Sequence, residues 1–336
     1  MKPGTVLVAR LDSMGDVVMS GPAVRAVARG ARRVVMLVGP RGEAAARLLP
    51  GVDRIVVWRC PWIDPRPERV ERAHLDRLVE EVAGLEVDEA VILTSFHQSP
   101  LPLALLLRTA GVGHVSAISE DYPGSLLDVR HRVPPAIPEP ERALSLAEAA
   151  GHRLGAGDDG RLALVDTLPD TTGLTGDDDY VVLHVGADAP ARELPPELGR
   201  DVVASLDGLG RRVVVTGEDI SAADKVADGR ALNLAGRTDI AELADVLRRA
   251  RVLTVGNTGP AHLAAALRTP VVSLFSPVVP ASAWAPYGVA CRVLGDQKAA
   301  CAGTRARECP LPGHPCLGGV TAHDVLTAIE ELEETA

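Results

Sequence analysis

The sequence predicts an α/β protein built from two similar domains, and three observations predict it. Short runs of Val, Leu and Ile alternate with segments of helical periodicity, the pattern of a parallel sheet covered on both faces. The alternation stops once, at residues 166–179 (DTLPDTTGLTGDDD), a stretch rich in Pro, Gly, Thr and Asp that reads as a linker. It then resumes as a second strand–helix series within a chain of 336 residues, long enough for two domains. The expected boundaries are 1–170, 178–320 and a terminal helix over 321–336.

In the first half, Thr5 to Arg10 (TVLVAR) is a β-rich run followed by the loop LDSMGD. Val17, Val24 and Val27 then recur at helical spacing until Gly30. Arg33 to Val38, Arg54 to Trp58 and Glu89 to Thr94 read as strands, and residues 68–84 and 101–108 as helices. In the second half, Tyr180 to Val185, Arg212 to Thr216, Arg251 to Val255 and Val271 to Phe275 are strand-like. Leu198, Val202, Leu206 and Leu209 mark one helix. Ile240, Leu243 and Leu247 mark another, with Asp239 and Glu242 spaced as a capping box. Thr321 caps the last.

Composition excludes several function classes. The net charge is −10, and no basic stripe is interleaved with aromatics, so nucleic acid is not an expected partner. No signal peptide opens the chain, and the longest apolar stretch, near Leu101 to Leu107, is too short to span a bilayer. A cytoplasmic protein without a transmembrane segment is expected, with peripheral membrane contact left open. Cys60, Cys291, Cys301, Cys309 and Cys316 show no CxxC spacing and read as buried or loop thiols, not as metal ligands. No cofactor is expected.

Three segments can carry chemistry. In VGNTGPAHLAAAL (255–267) a strand ends, Asn257 and Thr258 turn, and a helix opens at Gly259–Pro260. Pro suits the first helical turn, and the remaining free N–H groups there suit a phosphate. His262 lies one turn on. In HVGADAPARELPPE (184–197), Arg192 follows a strand in a position to pair with a diphosphate, although a solvated surface Arg is the simpler account. In RLDSMGDVVMSGP (10–22), Asp16 near a helix start is either electrostatically comfortable or a general base, with Ser13 placed to donate to it and Asp12 a rival.

Together these segments resemble the family 9 glycosyltransferases, typified by the ADP-heptose:lipopolysaccharide heptosyltransferases. VLVARLDSMGDVVMSGPAVRAV is similar to that family's opening strand, Gly-Asp loop and Pro-containing helix. HVGADAPARELPPE, NLAGRTDIAELADVLRRARVLTVGNTGPAHLAAALRTPVVSLF and PYG at 286–288 are similar to its C-terminal domain. Residues 40–165 carry no matching motif.

The resemblance implies a GT-B fold, two Rossmann-like domains facing across a cleft, with the acceptor on the first and the nucleotide sugar on the second. It implies inverting transfer without a metal, ADP-heptose as donor, and a glycan, lipopolysaccharide-type or small-molecule acceptor. By matching position it makes Asp16 the base with Ser13 beside it. It gives Arg192, Thr258, Gly259 and His262 to the donor phosphates, and Thr216, Gly217, Glu218 and Asn257 to the rest of the donor site. The chain departs from the family at Asn257 and Val279, where Asp is common, at Arg192 for Lys, and at Leu194 for Trp. Two other classes meet the same residues: a non-catalytic nucleotide-sugar-binding protein, suggested by Asn257 and Val279, and a GT-B-type epimerase or hydrolase. The retained Asp16 speaks against the first.

Overall fold

The aliphatic runs that lack alternation become strands buried on both faces, as parallel sheets require. A computed structural model describes residues 4–134 and 137–335, and the chain divides into two units, Met1–Val165 and Asp166–Ala336. The first unit holds β1 (Thr5–Arg10), β2 (Arg33–Val38), β3 (Arg54–Val57), β4 (Glu89–Ile92), β5 (His114–Ile118) and β6 (Val129–His131). The second holds β7 (Val181–Val185), β8 (Val213–Gly217), β9 (Leu232–Asn233), β10 (Leu253–Gly256), β11 (Val271–Leu274) and β12 (Cys291–Leu294).

All pairings are parallel. The strand orders are β3-β2-β1-β4-β5-β6 and β12-β11-β10-β7-β8-β9. Read from the far edge, the second order is that of the first, with β7 in the place of β1 and β10 in the place of β4. In both sheets the direction of winding reverses beside the opening strand, between β1 and β4 and between β7 and β10. Ligands of such sheets bind beyond the carboxyl ends of the strands at that reversal.

The first core is aliphatic: Leu7, Val35, Leu37, Ile92, Leu103, Leu107 and Val115 are closed from solvent. Gly39, just beyond β2, is a close-approach position. A Cβ there would stand 2.6 Å from the Leu11 carbonyl oxygen, so glycine lets the β2 loop lie against the loop that follows β1. The second core gathers Leu183, Val202, Leu206, Val215, Leu274 and the inner face of the helix Ala322–Glu334, which Thr321 caps. The helix Ile240–Arg249 starts at Asp239 with the full capping box to Glu242.

Residues 166–179 contain a short helix, Thr172–Thr175. The Thr171 amide and hydroxyl both donate to Asp245, at 2.9 and 2.7 Å, which ties this stretch to the second unit. Asp245 is closed from solvent and also receives Arg248 and Arg249. No helix among the described residues is long and apolar enough to cross a membrane.

Candidate functional site

The loop after β1 is short. Ser13 precedes the helix Met14–Met19, and Asp16 is its third residue. The carboxylate folds back: Asp16 Oδ2 accepts from the Ser13 amide at 3.2 Å and from the Ser13 hydroxyl at 2.7 Å. Its other oxygen accepts from Arg10 Nη2 at 2.8 Å. Arg10 ends β1 and is 3% exposed, whereas the Asp16 side chain keeps 18% of its surface open. Ser13 therefore stands with the base candidate, and its hydroxyl is committed to it.

The same buried guanidinium serves other partners. Its Nε lies 3.0 Å from Asp12 Oδ2, its Nη1 3.6 Å from Glu139 Oε2, and its Nη2 donates to Ser95 Oγ at 3.0 Å. Gln98 donates to Asp12, and Arg142 to the Thr94 carbonyl. Thr94, Ser95 and Gln98 follow β4, so the network bridges β1 and β4, where this sheet's winding reverses.

The electrostatics follow from the geometry. Burial pushes the Asp16 carboxyl upward, but the Arg10 charge and the Ser13 hydrogen bonds outweigh it and hold the group below the usual carboxylate range. Asp12, with fewer hydrogen bonds, is pushed by burial and by the Asp16 charge up to about 6, against the pull of Arg10. Burial also raises Glu139, and Arg10 is held charged by the three carboxylates around it. Asp16 is thus the carboxylate kept ionised and partly open. Its rival Asp12, whose side chain is 11% exposed, is the more easily protonated of the two.

In the second unit the loops after β7 and β10 meet at the corresponding place. Arg192 closes a short 3₁₀ turn, Pro190–Arg192, after β7. Gly256 ends β10, and a Cβ on it would stand 2.1 Å from the Arg192 carbonyl oxygen. Only glycine lets the two loops touch. His314 Nε2 bonds the Ala191 carbonyl at 3.1 Å, and the Ala191 amide donates to the Arg307 carbonyl, so the Cys-rich stretch buttresses the Arg192 turn.

Beyond Gly256, Asn257 is 5% exposed, and its Nδ2 is buried with no hydrogen-bond partner among the described residues. Thr258 is the N-cap of the helix Gly259–Ala266, with Pro260 in its first turn and no side-chain cap bond. Pro260 has no N–H and the Ala261 amide donates to the Thr258 carbonyl at 3.1 Å, so the Gly259 amide is the first-turn group that faces the turn beside Asn257. His262 lies on this helix and is 4% exposed.

The β8 residues fare differently. Thr216 is closed from solvent, and its hydroxyl pairs with His184 Nδ1 at 3.0 Å, so it is a core group and not a displayed one. Burial takes His184 down to about 4, which keeps that imidazole neutral. Gly217 packs against Val185, its would-be Cβ 2.6 Å from that carbonyl oxygen, and Glu218 beyond it is exposed. All five cysteines are free thiols, with Cys60, Cys301 and Cys316 buried. Among the described residues no cluster of His, Cys, Asp and Glu is arranged to hold a metal ion.

Sequence reasoning named Asp16, Ser13 and Asp12 but missed Arg10, Gln98, Glu139 and Arg142, which hold them. Their signal is faint: an Arg closing a buried strand, and a Glu and an Arg on one face of the helix Glu139–Ala149.

Among solved structures, E. coli ADP-heptose lipopolysaccharide heptosyltransferase II superposes with a TM-score of 0.75 at 19% identity, over 98% of this chain and 99% of that one. A family 9 glycosyltransferase from Veillonella parvula gives 0.79 at 16%, over 99% and 98%. E. coli WaaC with ADP-2-deoxy-2-fluoro heptose gives 0.74 at 20%, over 97% and 99%. These likenesses show the fold, that of the GT-B heptosyltransferases with two Rossmann-like units. No curated protein matches the chain in sequence. The model of glycosyltransferase family 9 (heptosyltransferase) matches residues 101–314, well over half of the chain. The chain belongs to glycosyltransferase family 9, the heptosyltransferase family.

Proposed function

We propose that this chain is an inverting glycosyltransferase that moves heptose from ADP-heptose to a hydroxyl of a glycan acceptor, without a metal. The observation that carries the reading is Asp16, held ionised by Arg10 and Ser13 at the winding reversal of the first sheet. The first unit, to about residue 170, takes the acceptor. The second, from about 178, takes the donor. The cytoplasm is the proposed compartment, in keeping with five free thiols.

In the proposed step Asp16 accepts the proton of the acceptor hydroxyl. The acceptor oxygen bonds to the anomeric carbon while the bond from that carbon to the diphosphate oxygen breaks. The nucleoside diphosphate leaves with the electron pair, and the configuration inverts. Proton removal by a placed carboxylate is worth about 10²–10⁴-fold. Arg192, the Asn257 amide and the N–H groups at Thr258–Gly259 stabilise charge growing on the leaving diphosphate. His262, Gly217 and Glu218 complete the proposed donor site, and Thr216 supports it from the core.

Likeness to WaaC solved with a fluorinated ADP-heptose supports that donor. The intact network around Asp16 favours catalysis over a purely binding role. The test is calorimetric titration with ADP-heptose, GDP-mannose, UDP-glucose and dTDP-rhamnose in the presence of chelator. Selective binding of ADP-heptose is expected. Selection of another nucleotide sugar overturns the donor assignment, and binding of none overturns the transferase reading.

A further inference from the structure

The aromatic residues of the first unit have an uneven distribution. Residues 1–165 contain four of them, Trp58, Trp62, Phe96 and Tyr122. None lies inside a strand or helix. Trp58 directly follows β3, Trp62 lies on the same loop, Phe96 follows β4 and Tyr122 follows β5. Every one stands on a loop at the carboxyl edge of the sheet, the edge that carries Asp16. The core cluster behind them is aliphatic apart from Trp58 and Cys60.

Aromatic side chains are ordinarily the large fillers of a core. Here three of four are substantially open: Trp62 at 36%, Phe96 at 50% and Tyr122 at 84% exposure. Trp58 is the buried exception and anchors the row. It stacks on His74 at 5.2 Å and meets Trp62 edge-on at 5.5 Å.

Phe96 stands on a turn tied to the Arg10 network. Gln98 N–H donates to the Ser95 carbonyl at 3.0 Å, which closes a turn with Phe96 and His97 at its tip. The Ser95 amide donates to Gln98 Oε1, Ser95 Oγ accepts from Arg10, and Gln98 donates to Asp12. One flank of this turn is therefore hydrogen-bonded to Arg10, which holds Asp16, and the other to Asp12, which pairs with Arg10. The strands β3 and β5 lie on either side of β1 and β4, four strand spacings apart, or about 19 Å.

We infer that Trp62, Phe96 and Tyr122 form a rim that binds the acceptor, a glycan of several rings whose apolar C–H faces lie against the aromatic faces. This deepens the transferase reading and rests on it. The electron-rich face of an aromatic ring attracts the slightly positive C–H groups of a sugar face, and the row is longer than one ring needs. Phe96, next in sequence to the Ser95 that accepts from Arg10, sets the reacting ring, and Trp62 and Tyr122 take rings farther along the chain.

The test is saturation-transfer NMR on the full chain with cellohexaose and p-nitrophenyl hexosides as probes. Saturation should reach ring C–H protons in the wild type and equally in D16N. The triple variant Trp62→Ala, Phe96→Ala, Tyr122→Ala should bind the probes about tenfold more weakly or worse. F96L, which keeps bulk but not the aromatic face, should lose part of that. Cellohexaose should lose more than the single-ring probes on removal of Trp62 or Tyr122. ADP-heptose titrations of the same variants should match the wild type. Wild-type affinity in the triple variant overturns the rim, as does absence of saturation transfer to the wild type at millimolar probe. Loss of donor binding by the wild type would strike the transferase reading alone.

Discussion

Arg10, closed from solvent at the end of β1, donates to Asp16 at 2.8 Å and thereby fixes both the direction and the charge of the carboxylate. Removing its positive charge releases Asp16 upward toward neutrality. R10M should therefore move the acidic limb of the rate–pH profile to higher pH, because less of the base is ionised at any acidic pH. R10K should move it less. The shift is read from kcat against pH. A uniform loss at all pH values would reduce Arg10 to a packing role.

Asp16→Asn should lower transfer by about 10²–10⁴-fold while nucleotide-sugar affinity stays near wild type. Steady-state rates and calorimetry on one preparation check this. Transfer at the wild-type rate would pass the base to another group, Asp12 first.

Asn257 carries a buried amide donor without a partner among the described residues. Asn257→Ala should weaken donor binding by roughly 5–20-fold, the worth of one hydrogen bond to a charged or polar ligand group. Its melting temperature should hold or rise, since an unsatisfied group is removed. Unchanged donor affinity would take Asn257 out of the site.

Gly256→Ala should be far more damaging than its one methyl suggests, since that methyl meets the Arg192 carbonyl oxygen at 2.1 Å. Donor affinity should drop at least as far as in Arg192→Ala. Near-native affinity would show that the two loops can part at little cost.

Asp245 is held down at about 2, because its bonds from Arg248, Arg249 and Thr171 outweigh the burial that opposes them. Its folded value lies below its unfolded one. Its contribution is therefore present above about pH 4 and is lost as pH falls through 2, and amounts to roughly 2 kcal/mol. Urea melts of D245N against wild type at neutral pH should show that difference, and the gap should close in acid.

Much of the fold was legible because parallel strands must be apolar on both faces. RVVMLV and YVVLHV announce themselves, and Asp239 with Glu242 announces a helix start. β9, two residues long, and β6, the polar VRH, carry too few residues for any period to show. The same limit applies to the site. Asp16 and Ser13 are three residues apart, and their partnership is local geometry. Arg10 and Glu139 meet only because the sheet brings the β1 end beside the helix Glu139–Ala149, which no local pattern encodes. Thr216, which the resemblance gives to the donor site, is turned inward to His184 by the pleat.

The repeated strand order gives the chain a modular character. The Asp16 network and the Arg192–Asn257 loops lie at the winding reversals of two copies of one topology, each with its own core. A chimera joined within 166–179 would keep the Arg10–Asp16 pair and its aromatic neighbours whole while replacing every residue from Arg192 to His262. Under the proposed assignment, donor and acceptor preference are then inherited separately, and a lineage of such chains can diversify one substrate while conserving the other.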